Sequence, residues 1–548
     1  MKQNIMKQMR KMEQALLFYM SGKFLDLMTV LFFLALVTRP FHPSFAQDER
    51  KGIEVIPSTR NESQPDSSYL EKDEQDLLSL DSFVDSSGIR KLSLEKIIKL
   101  AVEHNRILKR YRLSGDAAKI RLKQAEYRFL PSAYINAGRT ENTSVSLGQV
   151  ERTRKLNSRL GFYRALETGG SVSVNMNNST NESSANVGIV NYSSGLNIAV
   201  SQPLLAGRGI KVNHVPIERA KDYAKTSMLY VKQSLINLIT RIESTYWDLI
   251  LVYKDYDIQR DALKRAKELL EVNKSLIESG RMASQEIVQT ESDIASREIT
   301  VAGAENAIIS TQINLQEQLD LGERILIQPT TKMEFKPVSV SVKDCLARAY
   351  KNRPDWLINE LYLEINRMNL LVARNNNQYT LGSSASIGSD VTSDHSMEKA
   401  FRDAITFKEL SWNVGLSFVV PFNKQVLENN YQLYLISYRQ QKIYMDELQD
   451  DIRIAVENAV RNVQFSLKQV GLARRAKQLA QKKLNLEEEK MKVGRSSNFQ
   501  VISYQRDLTN AQNEELRRIA GYLKALGVLE QTMGTTLEKW GIEVESVD

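Results

Sequence analysis

The sequence predicts a mainly α-helical protein that carries a membrane β-barrel segment, with one architecture used twice along the chain. Three observations predict it. First, apolar residues recur at steps of three and four between Val212 and Ile277, at Val231, Leu235, Leu238, Ile242, Tyr246, Leu249 and Tyr253 and again at Ala262, Ala266, Leu269 and Leu276. A second such stretch runs from Lys424 to Met491. This is the period of a helix with a single apolar stripe, and at about 1.5 Å per residue each stretch is a rod on the order of 100 Å long. Second, each rod meets a glycine-containing break, Glu278-Ser279-Gly280-Arg281 and Lys492-Val493-Gly494-Arg495, with a further periodic stretch beyond it. Both therefore read as helical hairpins with glycine at the tip. Third, the apolar period falls to two between Ser132 and Pro203, and again after Tyr379.

A chain of 548 residues could fill several domains, but the repeat argues for one supersecondary plan made twice. Lys and Arg outnumber Asp and Glu by 74 to 66, a net charge of +8. Residues Met1 to Ala46 carry six basic residues (Lys2, Lys7, Arg10, Lys11, Lys23 and Arg39) and two acidic ones (Glu13 and Asp26), so their removal would leave +4. So small an excess, spread along the chain, is not the concentrated basic face that nucleic acid requires. The single cysteine, Cys345, excludes an intramolecular disulfide and a Cys-based zinc cluster. With Val342, Leu346 and Ala349 around it, it reads as a small apolar residue of a helix. His42, His104, His214 and His395 share no ligand spacing, so no metal site is expected.

Taken in order, residues 1–46 have a basic flank, the apolar run Leu25 to Val37 and the small residues Ser44-Phe45-Ala46, the layout of a secretory signal peptide. The run falls short of the roughly 20 residues that a spanning helix needs; an uncleaved N-terminal anchor is the alternative. Gln47, not Cys, follows the expected cut, which gives no support to a lipid anchor. Residues 47–91 read as a flexible Ser- and acid-rich leader. The first repeat is expected over 92–322. It opens on an amphipathic helix from Leu94 to about Phe129, stopped by Pro131, followed by strands, the long helix, the tip and a returning helix. Within its strands Val172, Val174 and Met176 alternate with Ser171, Ser173, Asn175 and Asn177, and Leu196, Ile198 and Val200 alternate with Asn197, Ala199 and Ser201. Such alternation suits a strand with lipid on one side and a wet lumen on the other; a soluble sheet packed on a core has the same period, and the export signal favours the membrane. Thr168-Gly169-Gly170 is a turn between two strands. After a linker over 323–339 the plan restarts. Ser341 to Ala349 lines up with Ser93 to Ala101, Asn352 falls opposite His104, and Trp412, Val414, Leu416, Phe418 and Val420 alternate with Asn413, Gly415, Ser417 and Val419. The second repeat covers 340–535, and 536–548 reads as a C-terminal tail.

The doubled order of elements resembles the outer-membrane efflux protein family, the TolC-like outer membrane factors. The resemblance is carried by Asn352-Arg353-Pro354-Asp355 at the start of the second repeat, by the strand ends Val200-Ser201-Gln202-Pro203-Leu204-Leu205 and Phe418-Val419-Val420-Pro421-Phe422, and by the two glycine-containing tips, and it covers roughly Leu92 to Gly534. It implies a homotrimer whose protomers share one β-barrel in the lipid of the outer membrane, with their helices forming a tunnel in the periplasm. Elementary physics agrees, since a few strands cannot close a barrel and open edges are not tolerated in lipid. The first repeat departs from the pattern by two additional strand-like segments, near Leu160 to Leu166 and Val172 to Met176. If both enter the barrel the trimer has eighteen strands rather than the family's twelve; twelve is expected here, with the additional segments as a hairpin beyond the membrane.

The resemblance implies a trimeric exit duct of a tripartite efflux system. A periplasmic adaptor protein would dock at the tips, at Gly280, Arg281, Gly494 and Arg495, and an inner-membrane transporter would supply the energy. The glycines alone would also follow from a left-handed turn, and the arginines could cap helix C-termini. Family tips often carry an aspartate six residues after the glycine. The first tip has Glu286 there, which is also an ordinary first-turn acid, and the second has Gln500, then Ser503. These three are the candidates for a periplasmic mouth. The duct of a type I protein secretion system and a periplasmic coiled-coil scaffold without a pore are the alternatives. No enzyme or cofactor is expected: Gly207-Arg208-Gly209 lacks the Gly-Lys-Ser/Thr ending of a phosphate loop, and no nucleophile elbow is present.

Overall fold

The computed structural model describes residues 89–146, 149–184, 190–320, 325–493 and 495–544. The expected signal peptide, the leader up to residue 88, Gly494 and the last four residues lie outside the described residues.

The first described strand, β1 (Ile89–Leu92), leads into α1 (Leu94–His104) and α2 (Arg106–Glu126). Four strands follow, β2 (Ser132–Ser146), β3 (Gln149–Ala165), β4 (Ser171–Ser183) and β5 (Val190–Pro203), then the long helix α3 (Ile210–Glu278) and its return α4 (Glu286–Leu319). A short strand β6 (Leu326–Pro329) precedes the second round: α5 (Val342–Asn352), α6 (Pro354–Asn376), β7 (Thr380–Ser393), α7 (Met397–Ile405), β8 (Leu410–Val419), α8 (Gln425–Lys492), α9 (Asn498–Met533) and α10 (Thr536–Trp540). The long helices have 69 and 68 residues and end within two residues of the expected bounds. A continuous apolar stripe is a purely local signal, which is why both rods are legible.

The single helices expected at the start of each repeat are each two helices, broken at equivalent points. Asn105 has an extended backbone, and its side chain accepts hydrogen bonds from the N–H groups of Ile107 and Leu108. It ends α1 and caps α2 in one step. Arg353 occupies the same place in the second repeat, where Pro354 at the first helical position forces the break.

Three further expectations are corrected. The leader does not extend to residue 91, because β1 pairs in parallel with β6 from Ile89↔Leu326 to Leu92↔Pro329, inside the segment read as a linker. Leu92 and Ile327 are buried there in the core that Tyr246 anchors. The tail is not free of structure, since α10 buries Leu537 in that same core and Lys539 pairs with Glu243 at 2.9 Å. The additional strand segments do not stand apart as a separate hairpin. They are β3 and β4, inner members of one antiparallel sheet in the order β2-β3-β4-β5-β7-β8. Paired over thirteen rungs, β3 and β4 place apolar side chains opposite one another, so the sheet continues through them unbroken.

Packing follows the repeat. The first part of α3 lies against α2 and its second part against α4, while α8 runs beside α6 and α9. Contacts of α3 with α6 and α9 join the two rounds into one bundle. Two buried tyrosines pin the chain where it enters each round. The hydroxyl of Tyr246 donates to the carbonyl of Leu92 at 2.9 Å, and that of Tyr522 to the carbonyl of Lys336 at 2.9 Å.

Candidate functional site

The six-stranded sheet has two chemically distinct faces. Directly opposed residues of antiparallel strands share a face, so the registers define rows across it. Ala133, Phe162, Val174, Ile198, Ile387 and Trp412 form one row, and Ile135, Leu160, Met176, Leu196, Ser389 and Leu410 the next. On the reverse face the row between them reads Tyr134, Gly161, Asn175, Asn197, Gly388 and Ser411. A Cβ on Gly161 would lie 2.2 Å from the Tyr134 ring; its absence lets Tyr134 cross and donate to Asn175 Oδ1 at 2.7 Å. Small polar groups thus cover one face and branched or aromatic ones the other.

The apolar face is open. On β8, Leu410, Trp412, Val414, Leu416 and Phe418 are all more than half exposed, Trp412 at 74%. At about 3.4 Å per residue this stripe is about 27 Å long, or about 21 Å of height at a tilt of about 40°, most of the apolar band of about 25 Å that outer-membrane strands present to lipid. On β3 the band is bounded by Arg164, whose guanidinium donates to the carbonyl of Phe129, and by Arg154, paired with Glu141 at 3.2 Å. At one end of the band α7 packs on β5 and β7, and Ala400 and Ala404 of the helix and Ser194, Ser389 and Val391 of the strands are buried. Strands β2 and β8 are the two edges, each paired on one side only.

The helices also carry apolar surface without a partner among the described residues. On α8, Phe465, Leu472, Leu479 and Leu486 recur every seven residues and are each more than half exposed. Ile299, Ile309 and Ile313 on α4 and Leu113 and Ile120 on α2 are exposed likewise. A heptad spacing is the seam by which one helix packs against another.

At the far end of the rods lie the tips. Gly280 has φ +69, its N–H donates to the carbonyl of Ile277 at 2.8 Å, and that of Arg281 reaches Leu276 at 2.8 Å. These are the two bonds of a Schellman close, which needs the left-handed residue that glycine supplies at least cost. The second tip repeats the longer bond, Arg495 N–H to the carbonyl of Lys490 at 2.9 Å. Arg281 and Arg495 are exposed, and neither guanidinium caps a helix carbonyl among the described residues. Glu286 begins α4 and is half-buried, with one carboxylate oxygen enclosed and unpaired among the described residues. Gln500 is held in the first turn of α9 by its N–H to the Ser497 hydroxyl. Ser503 lines a groove of about 600 Å³ between the two tips, with Gln285, Gln289, Asp293, Phe499 and Arg506. The structure therefore brings Ser503 to the tip groove and seats Glu286 beside it at the start of α4, and leaves both arginines outward.

What ties the tips together is a set of contacts between residues distant in sequence. Asn273 is fully buried and donates to Thr290 Oγ1 at 2.8 Å and to Asn498 Oδ1 at 3.0 Å. Asn498 in turn donates to Thr290 and to the carbonyl of Glu286. Next to this cluster Asp293, 2% exposed, takes Arg297 on one oxygen at 2.6 Å and Arg506 on the other at 2.6 Å. Arg506 belongs to the other hairpin, so this carboxylate joins both. The hydroxyl of Ser496, then Lys490, hold the Glu487 carboxyl below its ordinary value at the second tip. One signal was available: Asn273 falls on the stripe of Ala266, Leu269 and Leu276, a polar residue where an apolar one is due. Among the described residues no group of His, Cys, Asp or Glu side chains could hold a metal ion, and no helix is long and apolar enough to cross a membrane.

Solved structures share this architecture. The CmeC outer membrane channel of Campylobacter jejuni superposes with a TM-score of 0.60 at 15% identity, covering 81% of this chain and 86% of that one. The outer membrane protein VceC of Vibrio cholerae gives 0.58 at 15% identity over 80% and 96%. The open state of the MtrE outer membrane channel of Neisseria gonorrhoeae gives 0.60 at 16% identity over 81% and 89%. No family model matches the sequence, and neither does any curated protein. At this identity the likeness is one of fold: the chain has the TolC-like fold of outer-membrane channels.

Proposed function

We propose that this chain is one of three identical subunits of an outer-membrane exit duct. The observation that carries the reading is the sheet itself, an exposed apolar face and a small polar face between two unpaired edges. In lipid every backbone group must be paired within protein, so a sheet with two free edges is stable only when copies close it into a barrel. β2 runs away from the helices and β8 toward them, so the β8 edge of one copy meets the β2 edge of the next antiparallel, as a barrel requires. The small polar face then lines the bore. The exposed heptad stripe of α8 finds its partner on the α2–α4 side of the neighbouring subunit, and the rods become a tunnel in the periplasm.

In this reading the mechanism is passive. An inner-membrane transporter supplies the energy, and a periplasmic adaptor docks at the tips through Gly280, Arg281, Gly494 and Arg495, the exposed arginines being available to its carboxylates. Glu286, Gln500 and Ser503 line the periplasmic mouth, which widens when the two hairpins of each subunit part. Service to a protein secretion system uses the same duct; a scaffold without a pore does not. Purified protein in planar bilayers tests it. A duct gives stepwise ionic currents from a particle of three subunits, and a scaffold gives none.

A further inference from the structure

Resting on that trimeric reading, we infer that the β3–β4 pair crosses the bilayer with the other strands, so that the duct has an eighteen-stranded barrel and admits solutes too wide for a twelve-stranded one. The pair has the properties of a membrane-crossing hairpin. Its outward residues Leu160 and Phe162 on β3 and Val172, Val174 and Met176 on β4 continue the apolar rows of β5, β7 and β8, and beyond them the face turns polar at Ser158, Asn178 and Thr180 before Leu156. Its inward residues Ser173, Asn175, Asn177 and Ser179 on β4 continue the small polar face, while β3 adds Asn157 and the longer Lys155, Arg159 and Tyr163, with Arg159 donating to Asn177 Oδ1 at 2.7 Å. The arginines that bound the band on β3, Arg154 and Arg164, are ten residues apart, about 34 Å along the strand. At a tilt of about 40° this is about 26 Å of height, the thickness of the apolar band. A hairpin standing beyond the membrane would need polar residues on both faces in the rows of Leu160 with Met176 and Phe162 with Val174 as well.

Barrel diameter grows nearly in proportion to strand number. With strands about 4.8 Å apart and tilted about 40°, twelve strands give a backbone diameter of about 24 Å and eighteen about 36 Å. Where Ser, Gly and Asn line the wall, side chains take about 5 Å from each side, leaving a bore of about 26 Å instead of about 14 Å. The cargo class implied is solutes of about 15–25 Å across, such as bulky complexes or folded peptides, in addition to small molecules.

The strand count is open to direct observation by electron cryo-microscopy of the full chain in lipid nanodiscs. Eighteen strands at the level of the bilayer support the inference, and twelve, with β3 and β4 projecting from the membrane, overturn it. A functional test uses a chain lacking residues 147–189, which joins β2 to β5 and keeps the hairpin order. Polyethylene glycol about 20 Å across, added only on the outer side, should enter the intact barrel and reduce its current, and leave that of the shortened chain unchanged. Equal exclusion by both would overturn the inference. If the shortened chain fails to assemble, the strand count decides alone; if the intact chain forms no pore at all, the duct reading fails and not merely its width.

Discussion

Replacing Val414 by arginine should unfold the membrane part of the duct, while the same change at the adjacent Asn413 should be tolerated. Val414 is the centre of the stripe from Leu410 to Phe418 and is 71% exposed in the protomer. In a barrel it faces the middle of the lipid, where an arginine costs about 2–4 kcal/mol. Three subunits place three such charges in one barrel, on the order of 6–12 kcal/mol for the assembly, comparable to the whole stability of a typical domain. Asn413 lies on the reverse face, opposite Ser386. There an arginine reaches the aqueous bore, and the change should stay within about 0.5 kcal/mol. Urea titration of each variant in lipid vesicles, read as the fraction of three-subunit particles that survive, separates the two positions. Equal losses at both, or no loss at Val414, would refute the assignment of faces and the lipid-facing role of the sheet.

Four further outcomes follow from particular contacts. Asp293→Ala leaves Arg297, nearly buried, without its carboxylate and cuts the link to Arg506 of the other hairpin, a loss of about 3 kcal/mol; amide exchange of residues 288–297 and 501–508 should accelerate about 100-fold, and unchanged protection would contradict the link. Gly280→Ala places a Cβ at φ +69 and should cost about 1–2 kcal/mol, seen as faster exchange of the Arg281 amide with the rods intact. The Arg106 guanidinium, bonded to both oxygens of Asp320, holds its carboxyl down at about 2. Because this value lies below that of an unfolded aspartate, the contribution is present above about pH 4 and is lost as pH falls toward 2, so acid unfolding of Asp320→Asn should flatten in that window; an unaltered acid limb would count against it. Tyr246→Phe removes the hydroxyl that donates to the Leu92 carbonyl and accepts from the Thr331 N–H, and should lower stability by about 1–3 kcal/mol in thermal melts, with near-zero change as the contrary result.

Much of the fold is legible because its signals are local. The rods of α3 and α8 are written in steps of three and four, and the turn at Gly169, with φ +94, in two adjacent glycines. What was missed depends on partners distant in sequence. Residues Ile89 to Leu92 become a strand only because Leu326 to Pro329 lies alongside, and nothing near either segment announces the other. Strands β3 and β4 are legible as strands, yet their membership of the main sheet rests on the register with β5, which a period of two leaves free. The nine residues of α7 are too few to show a period, and the helix is fixed by Ala400 and Ala404 packing on the sheet. At the first tip Gly280 is legible from turn chemistry alone. The Asp293 link is not, since an aspartate four residues before an arginine reads as a solvated helix pair until Arg506 arrives from the second hairpin.

Cross-linking of the two free edges tests the shared barrel most directly. In a Cys345→Ala background, single cysteines at 133–137 on β2 are combined with single cysteines at 412–416 on β8, and the membrane-inserted protein is oxidised. The account predicts at least one register that yields a covalently closed ring of three subunits. Contradiction would be monomers in every combination, from a protein that stays soluble as a single subunit without detergent.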